Sequence, residues 1–344
     1  MLPMPKPVPT QQLIDGLLRG DRLALARAIS RVEDDAEDAA GIVQAVFAHT
    51  GKAHLIGITG APGTGKSTLV SALIESYRAS GVTVGVLAVD PTSPFSGGAL
   101  LGDRVRMTGH SGDAGVFIRS MATRRGAGGL AKACAEAMLL LDAAGFERVL
   151  VETVGAGQAE IEIASVADTV VVVEAPGLGD EVQAIKAGLL EIADIFAVNK
   201  ADRKGAARTV AALEMMLETG GAAAQSIMHH GQRMETGAAA SESDAEAGWS
   251  TPVLETVAVS GGGVAQLRDA IERHRAWLDE SGGRGAREGR RLNHMLQTLV
   301  QAEVLARLER ALAPALRGEL VELMQRRQID PYSAAADVIR KLSR

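Results

Sequence analysis

The chain has 344 residues and a net charge of -6, with 47% hydrophobic but only 3% aromatic residues. Its core must therefore be largely aliphatic, in one sizeable α/β domain with appendages. The acidic balance speaks against a dedicated nucleic-acid binder, and the single Cys134 excludes an intramolecular disulfide and fits a reducing compartment. No apolar run reaches the ~18 residues of a membrane span, and the opening MLPMPKPVPTQQ lacks a secretory h-region. A soluble, cytoplasmic protein is expected.

Residues 1–10 hold four prolines and read as an extended leader. From 11 to about 50 the pattern turns helical, with Leu25, Ile29 and Val32 on one stripe and Ala39, Ile42, Val43, Val46 and Phe47 on another. The middle alternates aliphatic runs at 54–60, 82–90, 116–120, 148–153, 168–175, 195–199 and 253–259 with helical periods at 66–79, 129–143, 181–191, 208–218 and 264–278. Strands with little alternation, separated by helices, predict an α/β fold: a mostly parallel sheet flanked on both sides. Two stretches interrupt this order. Residues 220–248 are rich in Ala, Gly, Ser and acids and read as a long insertion; 281–289 (SGGRGAREG) read as a linker. Beyond it Leu292, Leu296, Leu299, Val300, Val304 and Leu308 recur at helical spacing before Pro314 and Gly318. This apolar stripe, outside the sheet domain, needs a partner, and self-association is the simplest. Three parts are expected: a helical extension at 1–50, a nucleotide-binding domain at 51–280 and a helical arm at 281–344.

The strongest chemical signal is Gly60-Ala61-Pro62-Gly63-Thr64-Gly65-Lys66-Ser67, followed by Thr68, after a predicted strand and before a predicted helix. This is the P-loop pattern: glycines turn backbone N–H groups toward phosphate and the helix N-terminus adds partial positive charge. Lys66 is expected on the β- and γ-phosphates and Ser67 on Mg²⁺. Asn199-Lys200-Ala201-Asp202 after a later strand is a base selector. A carboxylate at Asp202 accepts from N1–H and the 2-amino group of guanine; adenine offers neither donor, so the acceptor would be left unpaired. Asn199 would tie this loop to the P-loop, the Lys200 stem would lie against the base, and Ser260-Gly261 would offer N–H groups to guanine O6. GTP and GDP are the expected ligands.

Acidic residues at the carboxyl ends of parallel strands face the ligand crevice. Asp90, Asp103 in Gly102-Asp103-Arg104, and Glu152 are the candidate Mg²⁺ carboxylates. Gln158 is a candidate for positioning the attacking water, although it lies three residues past Gly155. Lys186, behind the glycine-rich 176–181 run, is either a charge-stabilising group or a surface lysine. Cys134 falls on an apolar helix face and reads as a core residue. His229-His230, without an acidic or cysteine neighbour at fixed spacing, is not read as a metal site.

The runs GITGAPGTGKSTL, VDPTSPFSGGALLGDRVRM, VFIRSMATR, VETVGAGQAEIEIA, PGLGDEVQAIKAGLLEIADIFAVNKAD and DPYSAAADVI together resemble the methylmalonyl-CoA mutase-associated GTPases. This is the MeaB/MMAA/ArgK family of the SIMIBI class of P-loop GTPases. The resemblance runs from about Asp21 to the C-terminus, leaving 220–248 unmatched. It implies a homodimer with a helical extension, a G domain and a C-terminal dimerisation arm. It implies chaperoning of an adenosylcobalamin-dependent acyl-CoA mutase of the methylmalonyl-CoA type, gating cofactor loading and expelling damaged cobalamin; no cobalamin is expected on this chain itself. Matching positions are Lys66, Ser67, Asp90, Asp103 and Glu152 for phosphate and Mg²⁺, and Asn199, Lys200 and Asp202 for the base. Switch loops fall at 90–107, 154–167 and 177–186, with Lys186 matching a lysine tied to partner-stimulated hydrolysis. Ala156 and Ala159 replace the usual Val and Ser of VGVGQSE. Two other readings stand beside this one: a metallochaperone GTPase of the HypB or UreG kind, for which the sequence lacks a Cys/His tract near the P-loop, and a nucleotide-dependent scaffold with negligible hydrolysis.

Overall fold

Seven aliphatic runs pair into one sheet in which every strand is parallel to its neighbours. The computed structural model describes residues 8–91, 108–110, 112–123, 129–153, 163–177, 187–227, 248–312 and 314–342. The strands are β1 (His54–Thr59), β2 (Val84–Pro91), β3 (Val116–Thr123), β4 (Arg148–Thr153), β5 (Thr169–Glu174), β6 (Ile195–Asn199) and β7 (Val253–Thr256). Their order is β3-β2-β4-β1-β5-β6-β7. The chain runs outward from β1 in both directions, so a crevice opens at the carboxyl end of the central strand, where α/β sheets bind ligands.

Both faces of the sheet are covered, which is why the strands lack polar alternation. The helices, in chain order among the described residues, are α1 (Thr10–Leu18), α2 (Arg22–Glu33), α3 (Ala39–Val46), α4 (Lys66–Arg78), α5 (Gly129–Ala143), α6 (Ala187–Ile192), α7 (Ala206–Ile227), α8 (Val264–Ser281), α9 (Gly283–Ala311), α10 (Pro314–Gln325) and α11 (Pro331–Leu342). Ile56, Ile58, Val84, Val86, Val171 and Val173 pack against Leu69, Leu73 and Tyr77 of α4 and Leu267 and Ile271 of α8. The intervening Leu55, Leu87, Val170 and Val172 face the opposite way, toward Met138 and Leu141 of α5. The predicted N-terminal stripes join this second cluster through Leu25, Ile29, Val32, Ile42 and Val46. Asp21 caps α2 by accepting from the backbone N–H groups of Leu23 (2.8 Å) and Ala24 (3.3 Å). Cys134 is buried in the same cluster, and burial pushes its thiol up to about 12, as suits a core residue.

Three sequence expectations change. The strand expected over 253–259 ends at Thr256, because Val257 turns back to pair with Gly262 in an antiparallel bridge. The expected insertion starts later, since the alanine-rich 220–227 continues α7, as alanine's helix propensity favours; 228–247, with His229 and His230, lie outside the described residues. The expected linker is a single-residue break: Gly282 takes φ 77° and α9 starts at once. Its first turns lie against the sheet domain rather than apart from it. Arg284 donates to the carbonyls of Gly51 (3.0 Å) and Lys52 (3.3 Å). Arg287 grips Asp194 with both terminal nitrogens (2.7 and 2.8 Å), and Arg291 bonds Asp168 at 2.8 Å. These arginines share one helix face at i, i+3 and i+7. Farther along, Leu296, Val300 and Val304 are 60%, 52% and 56% exposed.

A buried polar chain runs beneath this docking site. Nε2 of His54 lies 2.7 Å from Oγ1 of Thr169, which lies 2.8 Å from Nδ1 of His274. Nε2 of His274 approaches Oδ1 of Asp194 at 3.4 Å, too long for a strong hydrogen bond. The only two tryptophans, Trp249 and Trp277, flank the His274 ring at 4.6 and 5.6 Å between centroids. Burial pushes His274 down to about 4, with Arg287 adding to the effect and Asp194 opposing it. Burial, reinforced by Arg148, Arg275, His274 and Arg284, holds His54 well below the usual histidine range. Both imidazoles are therefore neutral in the fold, whereas the unfolded chain protonates them near pH 6.5. Below that pH the unfolded state binds more protons, so stability present above ~6.5 is lost as pH falls toward 4. Urea unfolding should show a plateau above pH ~6.5 and a loss on the order of 2 kcal/mol from His274 by pH ~5, with His54 adding a loss in the same direction. A stability unchanged across that interval would refute the buried, neutral pair.

Candidate functional site

The site is built at the carboxyl end of β1. Gly60 has φ 138°, and a Cβ there would sit 2.1 Å from the carbonyl oxygen of Val173 on β5. No other residue fits so close a backbone crossing. Gly65, with φ 94°, is closed in from the other side, its Cβ position lying 2.5 Å from Nδ2 of Asn199. Pro62 and Gly63 are exposed at the tip, while Thr64 is buried and donates from Oγ1 to the carbonyl of Ala61 at 2.9 Å. Lys66 is buried, and its ammonium donates to the carbonyls of Gly60 (2.7 Å) and Ala61 (3.0 Å). The loop thus curls around its own lysine at the start of α4, where helix N–H groups and dipole favour an anion.

Ser67, one residue into α4, donates from Oγ to Oε1 of Glu152 at 2.6 Å. Glu152 is 3% exposed and lies beside Ile58 in the β1–β4 ladder, so strand register delivers a carboxylate to the serine. Asp90 is the penultimate residue of β2, two residues beyond Ala88, which pairs with Glu152. A serine hydroxyl and one or two carboxylates are hard oxygen donors of the kind Mg²⁺ takes while keeping waters and phosphate oxygens. No group of three or more His, Cys, Asp or Glu able to hold a metal occurs among the described residues. Asp103, Gln158 and Lys186 lie outside those residues.

The base-side loop is tied in as expected of Asn199. Its Nδ2 donates to the carbonyl of Thr64 at 2.9 Å, while Oδ1 accepts from the N–H of Ala258 (3.1 Å) and the hydroxyl of Thr256 (3.3 Å). Lys200 adopts φ 59° and donates from Nζ to the carbonyl of Gly63 at 2.6 Å, so its stem lies across the P-loop. Asp202 is exposed on the same loop. Ser260 and Gly261 form the turn after β7. There the Ser260 N–H goes to the carbonyl of Val257 at 3.0 Å, and Gly261 takes φ 76°. Thr256 and Ala258 were not among the sequence candidates. They sit two residues apart where β7 runs beside β6, with Thr256 opposite Asn199. The signal was the period-2 spacing of a hydroxyl and a small residue at that strand end.

The profile of the family described as methylmalonyl Co-A mutase-associated GTPase MeaB matches residues 25–313. A Pyrococcus abyssi relative whose name carries the word GTPase is 47% identical over 336 residues, spanning 96% of this chain and 96% of its own length. The mouse methylmalonic aciduria type A homolog, mitochondrial, is 30% identical over 354 residues, spanning 96% of this chain and 78% of its own. The solved structure of a LAO/AO transport system kinase shares the fold, with a TM-score of 0.64 at 23% identity over 99% of this chain and 100% of that one. The match covers both the P-loop wrapped on Lys66 and the loop pinned by Asn199: the chain belongs to the MeaB family of P-loop GTPases.

Proposed function

We propose that this GTPase is a nucleotide-gated chaperone of an adenosylcobalamin-dependent acyl-CoA mutase of the methylmalonyl-CoA type, governing cofactor loading and protection. The family profile over 25–313, itself described as mutase-associated, supports the client. The observation that carries the nucleotide half is Ser67 bonded to Glu152 at 2.6 Å within a P-loop pinned by Asn199 at 2.9 Å. On this reading Gly60–Ser67 and Thr68 cradle the phosphates and Lys66 turns from its own loop carbonyls to the β- and γ-oxygens. Asp202 accepts from guanine N1–H and the 2-amino group, with Ser260 and Gly261 on the O6 side. Ser67, Glu152, Asp90 and Asp103 hold Mg²⁺, which neutralises charge on the phosphate oxygens. Gln158 positions water and Lys186 stabilises charge when a client docks.

The protein acts as a homodimer whose arm, 281–344, buries the Leu296, Val300 and Val304 stripe against a second copy; exposed apolar area of that extent is unusual on a monomer. Residues 1–50 form the extension and 51–280 the G domain. Among the described residues no helix is long and apolar enough to cross a membrane, and we place the protein in the cytoplasm.

Three outcomes are expected. Calorimetry should show GTP and GDP binding without ATP binding, and Asp202→Asn should weaken GTP while favouring xanthine nucleotides, whose 2-oxo group accepts from the new amide; comparable ATP and GTP affinities would remove the guanine reading. Light scattering should give a dimer for the wild type and a monomer for Leu296→Glu with Val300→Glu, and a double variant still dimeric would place the interface elsewhere. Phosphate release should be slow alone and rise about a thousandfold or more with a cobalamin-dependent mutase. Lys186→Ala should keep the basal rate and GTP affinity but lose the rise. Undiminished stimulation of that variant would sink the role of Lys186, and an unstimulated wild type would count against the mutase client.

A further inference from the structure

Behind the P-loop lies a buried hydroxyl pair that none of these roles uses. Oγ1 of Thr153 donates to Oγ1 of Thr59 at 3.0 Å, and the two residues are 3% and 0% exposed. Thr59 is the last residue of β1 and precedes Gly60; Thr153 is the last residue of β4 and follows Glu152. The backbone ladder between these strands ends at Ile58 and Glu152. The side-chain bond therefore continues the β1–β4 connection one residue past the ladder, where one strand becomes the phosphate loop. On its other side Thr153 pairs with Val89, the residue before Asp90.

Burying a hydroxyl costs free energy unless it is hydrogen-bonded, and the surrounding strand positions are aliphatic. Valine would fill the same volume at either position without that cost. Two hydroxyls facing each other at the ends of the strands bearing Gly60 and Glu152 act as a spacer: they fix how far the phosphate loop stands from the carboxylate that accepts from Ser67. We infer that Thr59 and Thr153 are positioning residues for GTP hydrolysis, holding the Ser67–Glu152 pair in register with the phosphate loop. The inference rests on the proposed Mg²⁺ role of Ser67 and Glu152.

The test is steady-state hydrolysis by the full chain at varied GTP and varied Mg²⁺, with thermal unfolding of each variant. In Thr153→Val, kcat should fall about tenfold, as expected for a sub-ångström misplacement of catalytic groups, with KM for GTP little changed. The Mg²⁺ concentration for half-maximal rate should rise. Thr153→Ser, which keeps the hydroxyl, should restore kcat. The double variant Thr59→Val with Thr153→Val leaves no hydroxyl unpaired, so its melting temperature should return toward wild type while kcat stays low. Wild-type kcat in Thr153→Val, a loss confined to KM, or recovery of kcat together with stability in the double variant would each overturn the inference. A wild type indifferent to Mg²⁺ would overturn the metal reading separately, and the kcat comparison would still decide the role of the threonine pair.

Discussion

The carboxamide of Asn199 joins three stretches of chain that are remote in sequence. Its N–H reaches the P-loop at Thr64, while its oxygen gathers Thr256 from the end of β7 and Ala258 just beyond it. The amide is buried, 2% exposed, so each bond is made away from competing water and leaving one unmade would be costly. Much of the site's local sequence follows from this contact. Gly65 has no Cβ because the amide nitrogen occupies the space, and Lys200 turns to φ 59° so that its stem runs back across Gly63. Asp202 then projects from a loop whose position relative to the P-loop is already set.

The opposite end of the sheet is organised by two aspartates that each serve two masters. Asp168 accepts from the N–H of Leu55 on β1 and takes Arg291 of the arm; Asp194 accepts from the N–H of Val170 on β5 and takes Arg287. Strand starts and arm docking thus draw on the same two carboxylates. Charge-assisted bonds of this kind are short and directional, and they fix the departure angle of α9 more sharply than apolar packing alone would.

Where chemistry is written in contiguous residues, the sequence made it legible. The P-loop and the Asn199–Asp202 run could be placed because each is a contiguous pattern of fixed groups at short spacing, and the aliphatic runs announced a parallel sheet. What escaped depends on register or on distant partners. Thr256 and Ala258 matter only because β7 lies beside β6. The run 281–289 reads as a linker from its glycines, yet it is helical because the partners of Arg284, Arg287 and Arg291 wait at Gly51, Asp194 and Asp168 respectively. Likewise the pairing of Thr59 with Thr153 is invisible until β1 and β4 are known to be neighbours.

The strand order also has a consequence for how this chain comes off the ribosome. β1 is synthesised first, but it pairs with β4 from Arg148 and with β5 from Thr169. At ordinary elongation speeds its two edges therefore stay unsatisfied for on the order of ten seconds. During that wait HLIGIT is an aliphatic strand with no sheet to enter, the kind of segment that seeks pairing with another nascent chain. The helices made before it, α1 to α3, can cover only the side of β1 that bears Leu55, since Ile56 and Ile58 belong to the other face. The strand that carries the nucleotide loop is thus both the centre of the finished sheet and, during synthesis, its most aggregation-exposed part.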